Sequence, residues 1–507
     1  MSKIKRQQWH GRHQKNEKFE PRNDLRTEIN FLIRDSHVET EFSQKATEMA
    51  KQFRDNPSPK EQKNRTNLKS LPLCTIDGET AKDFDDAVYA KKNGRNFEVL
   101  VAIADVAHYV TERSPIDIDA IKRATSIYYP GHCIPMIPEA LSNGLCSLKP
   151  KVPRLCMTAE FIVTPAGLVK DVRVGQAVMK SQARLTYTGV QKLIDSSFKK
   201  IDKIPVPVVE SIKVLQKAAL ALRKARAKRG SIDFDAVEAV VALNKKGEPI
   251  SIAPSERLEA HRLIEDLMIA ANEAVAGYLE EKGIATIFRI HEPPNSEKLK
   301  AFSELAQSLG ALTPEGQRAL MKAGESPAAL AGLIASFKEH PAKASLDSAL
   351  LRSMMQARYS SKNAGHYGLA SKSYLHFTSP IRRYPDLMVH RVLKEHWAKQ
   401  KSKRDLEEVA MHCSSQERKA TDLERQIHAL HACWFMKDKI GEQHRGVITT
   451  KTDFGFFVRL NLHHIEGLVH ISNIPTQRWA TVKVGDKVLV EVANVNLVRR
   501  LIDFKLL

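Results

Sequence analysis

The sequence predicts a mixed α/β (α+β) body followed by a small all-β barrel, and three observations predict it. From Leu73 onward, runs such as "FEVLVAIADVAHYV" and "MTAEFIVTPAGLVKDVRVGQAV" are strand-like, the second turning at Pro-Ala-Gly-Leu. Longer segments then repeat apolar residues at helical spacing: "PVVESIKVLQKAALALRKARAKR", "RLIEDLMIAANEAVAGYLEEK", "SEKLKAFSELAQSLGAL" and "PDLMVHRVLKEHWAKQ". The C-terminal stretch reverts to short alternating strands separated by Gly and Asn-Leu turns.

Taken in order, residues 1 to about 26 carry eight Lys/Arg and three Asp/Glu with few apolar side chains, which reads as a basic arm. In "VETEFSQKATEMAKQF", Phe42, Ala46, Met49 and Phe53 recur on one helical face. "RDNPSPKEQKN" breaks that pattern and reads as a linker. The expected division is an arm and helix over 1–70, a mixed body over 71–440 and a barrel over 441–507. Five strands in about 65 residues fit an OB-type barrel, a fold whose exposed face binds single-stranded nucleic acid.

Composition narrows the chemistry. Lys+Arg number 79 against 59 Asp+Glu, a formal charge of +20, which points to a polyanionic partner. No apolar run reaches the roughly 20 residues that span a bilayer, so no membrane segment is expected. Six scattered cysteines without CxxC spacing suit reduced thiols in a cytoplasmic protein.

Against that basic background, "TIDGETAKDFDDAV" places Asp77, Asp83, Asp85 and Asp86 within ten residues. Carboxylates so close repel one another and tolerate burial only with positive charge among them, from metal ions or arginines. Oxygen-only sites of this kind suit Mg²⁺, one or two ions, which would activate water and steady a leaving oxygen. The alternative is a solvated acidic loop. The apolar flanks "LPLCTI" and "AVYA" argue instead for a buried rim. A second stretch, "HFTSPIRRYPDLMVHR", sets Arg382 and Arg383 just before a helix beginning near Pro385. Guanidinium forks match phosphate oxygens and stabilise charge on a transferred phosphoryl group, although two surface arginines would look the same.

Together these stretches resemble the RNB family of exoribonucleases, the ribonuclease II and ribonuclease R type, nearer the latter. "HYGLASKSYLHFTSPIRRYPDL" resembles the family's second signature, and "TSIYYPGHCIPMIPEALSNGLCSLKP" and "RLIEDLMIAAN" match further blocks. The resemblance covers about residues 70 to 507. It implies Mg²⁺-dependent, processive hydrolysis of single-stranded RNA from its 3′ end to nucleoside 5′-monophosphates. It further implies that Asp77, Asp83, Asp85 and Asp86 hold metal, with Asp85 and Arg382 catalytic. Tyr128, beside Tyr129, matches the tyrosine packing on the terminal nucleotide, Phe234 the aromatic stacked on the final bases, and Glu265 a supporting acid. Arg383 is expected to contact RNA. In the barrel, "DFGFFV" and "GLVHIS" resemble the ribosomal-protein type of RNA-binding barrel, with Phe454, Phe457 and His470 at stacking positions. Of Phe456 and Phe457, one must pack inward.

The chain departs from the family in two expected respects. The residues before Asp77 leave no room for a complete N-terminal cold-shock barrel, and no lysine-rich tail follows Leu507. The basic arm, with Lys3, Lys5, Arg6, Arg12 and Lys15, is therefore expected to contribute phosphate contacts. A monomer is expected. Two other functions compete: a non-catalytic RNA-binding protein keeping the fold, and a metal phosphodiesterase acting on DNA or small nucleotides.

Overall fold

The computed structural model describes residues 24–199, 204–232, 239–324, 326–337, 339–340, 342–400, 404–474 and 476–507. Helix α1 (Leu25–Asp35) is started by Asp24, whose carboxylate accepts the Arg26 and Thr27 N–H groups. Ser43 caps α2 (Gln44–Lys51), and a Ser58/Glu61 capping box starts the single turn α3 (Pro59–Gln62). Strands β1 (Thr66–Leu68), β2 (Cys74–Asp77), β3 (Asp86–Asn93) and β4 (Asn96–Ala104) follow, then α4 (Val106–Tyr109) and α5 (Pro115–Arg123). A hairpin of β5 (Ile127–Tyr129) and β6 (His132–Ile134) precedes β7 (Pro153–Val163), β8 (Val169–Lys180) and β9 (Ala183–Thr186).

These strands build a seven-stranded sheet of order β1-β8-β7-β4-β3-β2-β9, parallel at β1–β8 and β2–β9 and antiparallel between. Alternation along β3 and β4 gives it two apolar faces. Val88, Val101 and Ile103 meet Ile212, Leu215 and Leu267, from α7 (Val206–Arg229) and α8 (Glu259–Glu281), which follow α6 (Tyr187–Asp195). Ala87, Leu100 and Ala102 face the opposite core, with Ala46, Ile116 and Met388. Between α7 and α8 lies the hairpin β10 (Ala239–Leu243) and β11 (Pro249–Pro254).

After α8 come β12 (Phe288–Ile290) and four helices: α9 (Ser296–Ser308), α10 (Pro314–Ala323), α11 (Pro327–Ala335) and α12 (Lys343–Ser353). Strand β13 (Arg358–Ser360) pairs with β12, and α13 (Tyr384–Trp397) leads to the 31-residue α14 (Leu406–Met436). The chain ends in a closed barrel of β14 (Gln443–Thr452), β15 (Gly455–Leu460), β16 (Glu466–His470), β17 (Lys487–Asn496) and β18 (Leu501–Leu506), with α15 (Thr476–Thr481) between β16 and β17. Cys433 and Met436 of α14 and Ile252 of β11 enter the barrel's core, so the body and barrel share apolar packing.

Several expectations need correction. The basic arm lies mostly outside the described residues, and from Leu25 the chain is helical, with Leu25 and Ile29 packed in one cluster with Leu423 and Ile427 of α14. The boundary at residue 70 falls inside the body, since β1 already belongs to the sheet. The strand read through "ADVAHYV" stops at Ala104, because buried Asp105 is taken by Arg65 at 2.8 Å and Lys394 at 2.5 Å and the chain turns into α4. The stretch "RDNPSPKEQKN" is not merely a linker, since its capped turn α3 forms there. Helix α14 was not anticipated. Among the described residues no helix is long and apolar enough to cross a membrane.

Candidate active site

The four aspartates sit where two sheet strands and their connection converge. Asp77 ends β2, Asp86 begins β3, and the loop between them carries Asp83 and Asp85. The loop is fastened from below. Buried Ser147 accepts the Phe84 N–H at 3.0 Å and donates to the Lys82 carbonyl at 2.7 Å. Arg184 Nη2 donates to the Gly78 and Glu79 carbonyls, both at 2.7 Å. A short polar loop is thereby held rigid without any regular element of its own.

The second motif is bonded directly to the first. Asp85 Oδ1 accepts the Ile381 N–H at 2.9 Å, and its Oδ2 lies 3.8 Å from Arg382 Nε. Arg382 also donates to Ser379 Oγ at 3.1 Å, yet its side chain stays 45% exposed, free to meet a phosphate. Buried Asp386, in the first turn of α13, accepts the Ser379 N–H and Arg383 Nη2, each at 2.8 Å. Arg383, expected to contact RNA, has its guanidinium paired with Asp386 here, and against the lowering effect of burial that pairing raises its pKa.

Tyr128 lies on the opposite rim. Its hydroxyl donates to Asp83 Oδ2 at 2.8 Å and its N–H to Glu424 of α14, also at 2.8 Å. Its side chain remains partly exposed, as a base platform requires. Tyr129 instead stacks on His132, with ring centroids 5.4 Å apart, which separates the two adjacent tyrosines.

The electrostatics describe a site short of positive charge. Burial first, then Asp86 and Asp83, pushes Asp77 up to about 8. Burial holds Asp85 well above the usual carboxylate range and Asp86 up to about 6, with Arg382 opposing both shifts. Asp77 Oδ2 is buried without a hydrogen-bond partner. Among the described residues, no group of three or more His, Cys, Asp or Glu side chains stands arranged to cage a metal ion. Mg²⁺ rarely uses such a cage, taking one or two carboxylates and completing its shell with water and substrate phosphates. An orphaned carboxylate oxygen among hard oxygen donors fits that mode.

Phe234 and Glu265 are also expected at this centre. Phe234 lies outside the described residues. Glu265, on α8, is paired with Arg257 at 2.5 Å and half-exposed, with no hydrogen bond or ion pair to the aspartates among the described residues. In the barrel, Phe454 is 49% exposed and meets Phe457 edge to face at 6.3 Å. His470 pairs across the ladder with Gly455, which places all three rings at one corner. Phe456 is the residue that packs inward, against Trp479.

Sequence reasoning missed Ser147, Asp386 and Glu424, which position the loop, the arginine turn and Tyr128. Only Asp386 carried a local signal, an acid three residues after Arg383 at a helix start.

Comparison with known proteins adds lineage to this geometry. The RNB domain family model matches residues 65–399, and that of the S1 RNA binding domain matches 437–506. Ribonuclease R of Vibrio cholerae serotype O1 (strain ATCC 39315 / El Tor Inaba N16961) is 42% identical over 482 residues. That match covers 88% of this chain and 58% of the relative, so the chain spans under two thirds of its length. Mycoplasma genitalium RNase R in complex with ribose methylated single-stranded RNA superposes with a TM-score of 0.89 at 29% identity, covering 96% of this chain and 78% of that one. The same protein with double-stranded RNA gives 0.88 at 30% identity, covering 96% and 84%.

Proposed function

Since the chain belongs to the RNB domain family, we propose that it is a 3′-to-5′ exoribonuclease that hydrolyses single-stranded RNA to nucleoside 5′-monophosphates. The observation that carries this reading is the hydrogen bond that the Ile381 N–H donates to Asp85 with Arg382 beside it, which sets a half-exposed guanidinium against a carboxylate cluster.

In the reaction, water adds to the phosphorus linking the last two nucleotides and the bond to the penultimate 3′-oxygen breaks. That oxygen takes up a proton, and the product keeps the 5′-phosphate. Asp77, Asp83, Asp85 and Asp86 would hold Mg²⁺. When bound, the ion neutralises phosphate charge and lowers the pKa of its water. Arg382 offers a planar fork to the non-bridging oxygens, where negative charge grows in the transition state. Asp85 keeps that fork in reach, with its Oδ2 3.8 Å from Arg382 Nε. Tyr128 presents a ring for the terminal base, and Phe454, Phe457 and His470 give upstream bases a sequence-independent surface. Six free cysteines accord with a reducing compartment such as the cytoplasm.

The test follows 5′-labelled single-stranded RNA with Mg²⁺ and the full chain, with Asp85→Asn as control. Label passing from full length to a very short oligomer, in wild type alone, supports the reading. Equal, tight binding of uncleaved RNA by both proteins would make the chain a non-catalytic RNA-binding relative.

A further inference from the structure

Behind the aspartate loop lies a second cavity that the catalytic reading does not use. The first, about 1070 Å³, is lined by Asp83, Tyr128, Cys133 and Ser142, and opens on the active site. The second, about 810 Å³, lies on the other side of the loop. Ala81, Lys82, Glu139, Asn143 and Arg184 line both, so the two adjoin. Its volume falls within the roughly 300–1,000 Å³ of small-molecule sites.

The charge of the second cavity is distinctive. Lys82, Lys149, Arg154 and Arg184 face only two carboxylates, Asp55 and Glu139. Arg154 is 4% exposed, yet its guanidinium reaches no carboxylate among the described residues. Its donors go to the Ser147, Pro153 and Gly144 carbonyls and to Asn56 Oδ1, all neutral. Those bonds use four of the five N–H groups an arginine carries. Burial dominates over the longer-range pull of Asp55 and holds the Arg154 pKa below its usual range, so an anion placed beside this guanidinium would be favoured. Arg184 likewise bonds only backbone carbonyls while lining both cavities.

Resting on the exonuclease reading, we propose that this cleft binds the phosphate of the released nucleoside 5′-monophosphate and conducts it out of the active site. Once its bond is cut, the phosphate is a monoester with more negative charge than the diester it came from, which favours its passage to the basic cleft. Lys82 and Arg184 meet it at the junction of the cavities, and Lys149 and Arg154 receive it beyond. The step is pure transfer: no bond forms or breaks.

Half-buried Lys149 lies outside the catalytic machinery and is the residue to change. The full chain carrying Lys149→Glu is compared with wild type in two measurements. In the first, binding of 5′-AMP, adenosine and inorganic phosphate is titrated calorimetrically. In the second, cleavage of labelled RNA is timed with enzyme in excess and again with RNA in excess. The expected result is 5′-AMP binding about tenfold weaker in Lys149→Glu, adenosine bound poorly by both proteins, unchanged cleavage with enzyme in excess and slower turnover with RNA in excess. Equal 5′-AMP affinity and equal turnover in the two proteins would overturn the proposal. Inorganic phosphate binding as tightly as 5′-AMP would overturn the nucleotide assignment. Wild type that binds 5′-AMP through Lys149 but leaves RNA intact would overturn the exonuclease reading and keep the anion site. Lys149→Arg should behave as wild type, which separates charge from packing.

Discussion

Asp85 accepts the backbone N–H of Ile381 at 2.9 Å, and through this bond the aspartate loop and the arginine turn form one unit although 296 residues separate them. The same carboxylate is buried, and burial holds its pKa well above the ordinary range. Asp85→Asn keeps an acceptor for Ile381 and removes the charge. Hydrolysis should fall by about 100-fold or more, because the metal-side charge is lost. The thermal midpoint in metal-free buffer near neutral pH should rise by a few degrees, because a destabilised buried charge is gone. RNA cleavage and thermal melting check the two halves, and a drop in the midpoint would contradict the charge argument.

Arg382 and Arg383 are adjacent but should respond oppositely. Arg382 is half-exposed beside Asp85, so Arg382→Lys, which loses the planar fork, should lower kcat by about 100-fold with RNA affinity changing less than about tenfold. Arg383→Met leaves Asp386 buried and unpaired, which should cost about 3–5 kcal/mol of stability. Comparing kcat, RNA affinity and urea midpoints decides it. If both variants lose kcat equally at wild-type stability, the division of labour is wrong.

Three histidines, His390 buried and His366 and His376 partly buried, should make the fold acid-sensitive. Burial pushes His366 down to about 3 and His390 to about 4, and holds His376 well below its usual range, with Arg383 and Arg289 adding to the last. Each stays neutral in the fold but takes a proton in the unfolded chain below about pH 6.5. The unfolded state then binds more protons, so stability is full above that pH and declines as pH falls toward 4. Each group contributes a slope of about 1.4 kcal/mol per pH unit across its window. Urea midpoints measured through that window should fall steadily, and His366→Asn should flatten the curve. An equally steep curve in the variant would remove His366 from the account.

What the sequence made legible follows from how local each signal is. Four aspartates in ten residues, or the helical spacing of "PVVESIKVLQKAALALRKARAKR", are read from neighbours in the chain. The apolar run "FEVLVAIADVAHYV" foretold a strand, and the Gly and Asn-Leu turns foretold the barrel. Helix α14 escaped because its apolar side is divided between α1 and the barrel, leaving no single strong stripe. Glu424 escaped with it, since its role is a bond to Tyr128 across 296 residues. The pairing of Arg383 with Asp386 was not legible because two adjacent arginines look alike until their directions are known. Ser147 and Arg154 carry no sequence signal at all, for a lone serine and a lone arginine gain meaning only from the loop they hold.

The barrel offers the last contrast, between two neighbouring phenylalanine positions. Phe454 is half-exposed at the corner shared with Phe457 and His470, whereas Phe456 is fully buried and parallel to Trp479. Phe454→Ala should weaken single-stranded RNA binding by about 1–3 kcal/mol, the worth of one base stacked on an aromatic, and leave the melting midpoint unchanged. Phe456→Ala removes a core ring and should destabilise the barrel by about 3–5 kcal/mol. The body, with its own cores on both sheet faces, should keep Arg382 poised, so cleavage of a very short oligomer should survive Phe454→Ala while affinity for long RNA falls. Fluorescence anisotropy with short and long RNAs checks this, and equal loss on both lengths would place Phe454 outside the RNA path.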